Sequence, residues 1–326
     1  MRHPLLTVFI SRISAGIYRL RFLQSFKCGV PSMPPVNRFH FWPAILLLLS
    51  LLNWQCTKDQ TVLIPDNDAP LYNRVPSIRI ENYVNRLFID LIGREPLDEE
   101  MDREVQALKA AQLSTDAREV LIIKLQTGAD FVPGDTSYAH AYYRHLYNLA
   151  KARCLEGISD ERIVNEFLNI SDDEGDSLRL QSVLHARQEL EAGKIKMNEV
   201  FTRMVYNAVY DQINMNSFNF VNATFDNLLW RYPTKSEFKE GYNMVEYNLS
   251  GSVLGRKGQN KGDYVAIFNE SRELFEGIII WTYQQLLARR PTSKETAVLL
   301  KDFYDHRDIR LIQRAVLVTN EYANFE

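Results

Sequence analysis

Residues 279–291 read IIWTYQQLLARRP, and the same pattern stands twice more, as VNATFDNLLWRYP at 221–233 and VNRLFIDLIGREP at 84–96. The three segments align without gaps. Each has an aliphatic residue, an aromatic four places on, two adjacent aliphatics, an arginine and a proline, with a glutamate four places after the proline (Glu100, Glu237, Glu295). Val84, Phe88, Leu91 and Ile92 stand at i, i+4, i+7 and i+8, one stripe of an α-helix, and the other copies repeat that spacing. Proline stops the helix, because it lacks an N–H and disfavours helical geometry in the residue before it. In Thr234-Lys235-Ser236-Glu237 and Thr292-Ser293-Lys294-Glu295 a second helix opens with a capping box, the two side chains each satisfying an orphan N–H. The first copy has Leu97 in place of threonine, so Asp98 is the expected cap there. Each copy is predicted to be a helix, a Pro-stopped turn and a second helix.

Working outward, apolar residues recur at helical spacing almost everywhere beyond residue 78, and alternating strand-like runs are scarce, which predicts an all-α body. The first copy falls in a helical region at 79–215, the second and third in one at 216–326. A unit of about 50 residues cannot bury its own apolar stripe, so the copies are expected to pack as one body or two docked lobes. The repeated arginines Arg94, Arg231 and Arg289 invite a reading as anion ligands. The simpler reading is that each covers its helix's last carbonyls or pairs with a nearby acid, since helix stopping and capping explain the rest of the motif.

Charge is distributed unevenly along the 326 residues: 1–55 carry six Lys/Arg and no acid, leaving 32 basic against 41 acidic residues, a formal −9, in the remainder. An acidic body argues against a nucleic-acid partner. Residues 41–55 read FWPAILLLLSLLNWQ, too short an apolar run to span a bilayer comfortably but of the length of a signal-peptide core. A signal peptide over 33–55 starting at Met33 leaves 1–32 as an over-extended start, with a basic segment lying on a membrane surface as the rival reading. Cys56 follows directly. Its setting resembles the lipobox of Bacteroidota-type lipoproteins, with Gln55 and Asn53 where a small residue and leucine are usual, and this implies lipidation of Cys56. The start Cys56-Thr57-Lys58-Asp59 resembles the surface-export signal of that phylum, and a chance cysteine behind an ordinary signal peptide is the alternative. Residues 56–78, with Pro65, Pro70 and Pro76 and no apolar period, suit a tether to the membrane.

The third copy with its continuation to Asn320-Glu321-Tyr322 resembles the small helical domain of bacterial surface and phycobilisome-linker-like proteins. The first copy, with RHLYNLA at 144–150 downstream, is similar to a cytochrome-associated helical domain of unknown function first described in planctomycetes. The resemblances imply an envelope-associated helical module and supply no active site. No Cys-x-x-Cys-His occurs, so no covalent haem, and no other cofactor, is expected.

Candidate chemistry is thin. His140, Tyr143 and His145 share an aromatic-rich helix that could line a sugar or quinone site, but five residues turn the two histidines about 140° apart, off a common metal-facing side. The acidic run at 171–176 lacks the ligand order of a calcium loop and reads as a solvated interhelical loop. Gly251 to Gly258 lacks the Walker spacing and reads as a mobile basic insertion, which makes Arg256, Lys257 and Lys261 candidate partner contacts. Cys28, Cys56 and Cys154 cannot build a disulfide framework or a structural zinc site, and Cys154 is expected to be a buried thiol. No nucleophile elbow, zincin motif or dinucleotide fingerprint occurs. The expected function is a lipid-anchored envelope protein acting as a non-catalytic adaptor for another envelope protein or a glycan. The alternatives are an envelope enzyme or redox accessory working on glycan or with a partner cytochrome, and a carbohydrate-binding module using Trp230, Trp281 and exposed tyrosines.

Overall fold

Helix starts in this chain are set by small polar side chains: Ser137, Asn216, Thr234, Asn260 and Thr292 each accept an N–H from the first turn of the helix they precede. A computed structural model describes residues 75–129 and 136–325. In chain order the elements are α1 (Ser77–Ile92), α2 (Asp98–Ala110), α3 (Thr115–Thr127), α4 (Tyr138–Cys154) and α5 (Asp160–Glu166), then a short 3-10 turn (Leu168–Ile170). There follow α6 (Glu174–Glu191), α7 (Met197–Val205), α8 (Ala208–Asn214), α9 (Ser217–Leu229) and α10 (Lys235–Tyr247). A hairpin of β1 (Gly251–Val253) and β2 (Arg256–Gly258) leads to α11 (Lys261–Asn269), α12 (Arg272–Leu287), α13 (Ser293–His306), α14 (Ile309–Leu317) and α15 (Asn320–Ala323). Among the described residues the body is all-α apart from this two-stranded ribbon.

The predicted stripes are the buried ones. Val84, Phe88, Leu91 and Ile92 of α1, Val221, Phe225, Leu228 and Leu229 of α9, and Ile279, Tyr283 and Leu286 of α12 are all buried. Each first helix ends in the left-handed region, at Gly93 (φ 77°), Trp230 (φ 55°) and Ala288 (φ 52°), and the proline follows three residues later. In the first copy the cap differs from expectation: α2 starts at Asp98, so Leu97 holds the N-cap position, and Glu100 accepts its N–H at 2.8 Å.

Two further expectations are corrected. The 251–258 segment, expected as a loop-like insertion, has regular structure. It is a hairpin in register Val253↔Arg256, turning through Leu254 (φ 50°) and Gly255 (φ 76°), with Val253 buried and Gly251 against Glu240 and Met244 of α10. Positive φ at both turn residues is the twist that short hairpins favour. In the acidic run, Asp173 caps α6 and Glu174 to Asp176 form its first turn, where carboxylates suit the helix dipole.

Residues 69–326 form one unit. The sequence division at 215/216 falls between α8 and α9, and hydrogen bonds join its two sides: Arg86 of α1 donates to the carbonyls of Tyr322 (2.7 Å) and Leu286 (2.9 Å), and Tyr322 donates to Asp90 (2.8 Å). Helices α9 and α12 cross at Gly277, where even one added carbon would sit 2.0 Å from the Leu228 carbonyl oxygen.

Candidate functional site

The three Pro turns make one set of contacts. The guanidinium of Arg94, Arg231 or Arg289 forks onto both carboxylate oxygens of the glutamate six residues on, at 2.7–2.9 Å, 2.8–3.0 Å and 2.7–3.1 Å in turn. It also donates to the carbonyl of the next residue, and it lies over the motif's own aromatic ring, Phe88, Phe225 or Tyr283. The same glutamate accepts the cap N–H of Leu97, Thr234 or Thr292. Arg231 and Arg289 each take a second acid from a later helix, Glu273 of α12 and Glu321 of α15. Arginine hydrogen bonds hold the carboxyls of Glu237 and Glu295 down to about 2. For Glu100, burial works upward, yet Arg94, Tyr138 and the Leu97 N–H together keep it below the usual range. Each arginine thus pairs with a nearby acid, one of the two alternatives of the simpler sequence reading, and the pairs join one helix to the next.

His140 and Tyr143 stand one turn apart on α4 with Glu191 acting on both, whereas His145 lies against the first Pro turn. His140 places Nδ1 3.1 Å from Glu191 and Nε2 3.1 Å from Arg187. Because a guanidinium only donates, Nε2 accepts and Nδ1 carries the proton to Glu191. Tyr143 faces a cavity of about 60 Å³ bordered by Lys196, Asp308 and Arg310. Burial raises its hydroxyl pKa. His145 packs across the first Pro turn, 2.7 Å from where a side chain on Gly93 would begin, and burial lowers its pKa. Among the described residues no group of three or more His, Cys, Asp or Glu could hold a metal ion.

Nor do the hairpin cations act together. Arg256 and Lys257 are exposed on β2, whereas Lys261 pairs with Asp211 and sits 4.2 Å from the Phe220 ring. Cys154 is buried, and burial pushes its thiol up to about 12. Trp281 is buried edge-on against Phe201, and the partly buried Trp230 carries Arg153 over its ring and donates to Gln284. Cys56 and residues 57–74 of the expected tether lie outside the described residues; its expected end at 78 is corrected, because Ser77 and Ile78 already form the first turn of α1.

Sequence reasoning missed the buried polar seam joining α3, α4 and α14. Tyr142 and Gln126 both donate to Gln313 (2.6 and 3.1 Å), and Arg314 donates to Gln126 (2.7 Å). Its members lie far apart in the chain, and the one local signal was glutamine on otherwise apolar helix faces.

No protein-family model, curated protein or solved structure matches this chain.

Proposed function

We propose that this chain is a lipid-anchored envelope protein whose helical body serves as an adaptor for another envelope protein. The observation that carries the reading is the triple Arg–Glu turn. It directs the motif's charges to joining helices, the property of a rigid frame that presents surfaces. Anchoring rests on the apolar run ending at Leu52, the cysteine at 56 and the Pro-containing stretch after it. Among the described residues no helix is long and apolar enough to cross a membrane.

Metabolic labelling with an alkyne palmitate analogue tests the anchor. Label is expected on the native protein and not on Cys56→Ala. Label on neither protein removes the lipoprotein reading and leaves the body to be explained as an exported or signal-anchored adaptor.

A further inference from the structure

The second and third helix pairs share a turn but not a filling. Extending their gapless alignment to 214–247 and 272–305 sets Phe218 against Glu276, Phe238 against Thr296 and Tyr242 against Leu300. Between α9 and α10 the three rings form a continuous strip: Phe218 and Phe238 meet at 4.9 Å, and Phe238 stacks on Tyr242 at 5.9 Å with planes 21° apart. Between α12 and α13 the three corresponding residues instead line an open trough of about 450 Å³. At these three aligned places the third pair carries no aromatic residue.

The rim adds a charge preference. Arg272 and Arg290 border the trough against a single acid in its lining, Glu276. Arg290 is engaged through one nitrogen by the Trp230 carbonyl, while Arg272 is exposed and makes no ion pair among the described residues. An open concavity of this size suits a side chain or short peptide. Aromatic anchors seated in such pockets dominate interface energetics.

We propose that the α12–α13 trough receives an aromatic side chain from a peptide segment of a partner protein, with a neighbouring carboxylate meeting Arg272. The second helix pair is the internal precedent, since Phe238 stands there at the place aligned with Thr296 and packs its ring between Phe218 and Tyr242. This deepens the adaptor reading and rests on it for its setting. Docking requires neither Cys56 nor a membrane, so a failure of anchoring and a failure of docking are read separately.

The test is photo-crosslinking of the full-length protein with N-acetyl-glutamyl-p-benzoylphenylalanine amide, with adducts mapped by mass spectrometry. Adducts are expected within residues 272–301. Excess N-acetyl-glutamyl-phenylalanine amide should compete for them, and the alanine counterpart should not. Thr296→Phe, which installs the second pair's filling, should cut the yield about tenfold, with circular dichroism confirming the fold. Phe238→Ala should open a second adduct site on α9 and α10, and this arm stands even if Thr296→Phe does not fold. Adducts scattered over the surface, or indifferent to both substitutions, would overturn the proposal. So would a concentration-dependent dimer in sedimentation that Thr296→Phe abolishes, since the occupant would then be a second copy of this chain.

Discussion

At the scale of single residues, the arginine of each Pro turn does the same work in different surroundings. Glu100 is nearly inaccessible, its side chain 4% exposed, whereas Glu295 is 31% exposed. Removing the partner of a buried charge costs far more than removing that of an exposed one, so Arg94→Met should destabilise by about 3 kcal/mol and Arg289→Met by about 1 kcal/mol. Urea unfolding measures both, and the reverse order would refute the bracing role given to these pairs. Gly277→Ala forces a carbon against the Leu228 carbonyl and should cost about 3 kcal/mol, read as a lower unfolding midpoint. Glu237 and Glu295 titrate near 2 in the fold against 4.5 unperturbed, so their contribution is complete above 4.5 and fades as pH falls toward 2. Acid titration of the native protein should therefore show stability falling across that window. The Glu237→Gln/Glu295→Gln double variant should show a shallower fall. The sequence offered a nearby acid as one of two partners for each arginine, and the glutamate six residues on, read there as a capping residue, is that acid. The second acids Glu273 and Glu321 were not legible, because they arrive on other helices.

At the scale of elements, what could be read from the sequence is what local chemistry decides. The apolar stripes, the prolines and the Thr-x-x-Glu boxes place α1, α9, α10, α12 and α13 correctly. The 251–258 segment was misjudged because its glycines and cations resemble a loop, while the burial of Val253 and the packing against Met244 are tertiary facts. Leu254-Gly255 was the available hairpin signal, less familiar than Asn-Gly. Gly255 has open space around it, so a side chain there suffers only from the φ of 76°. Gly255→Val should weaken the hairpin by about 1–2 kcal/mol, seen as faster amide exchange at 251–258 with α12 unaffected. Equal exchange in both proteins would mean that the turn conformation contributes nothing.

At the scale of the whole molecule, the motif segments are parts of one frame. Arg86 of the first donates to Leu286 near the end of the third, Asp90 accepts from Tyr322 of α15, and Gly277 lets the second and third cross at backbone distance. The sequence left one body or two lobes open, because only apolar stripes are visible in it, and which stripe meets which depends on long-range geometry. A rigid frame is also what the adaptor proposal requires. The most direct measurement is native-state hydrogen exchange of residues 69–326 against denaturant. One frame predicts that the most protected amides of α1, α9 and α12 open together, with a single free energy and the slope of global unfolding. If α1 opens at markedly lower denaturant while α9 and α12 stay protected, the segments are separate bodies and the bracing scheme is wrong.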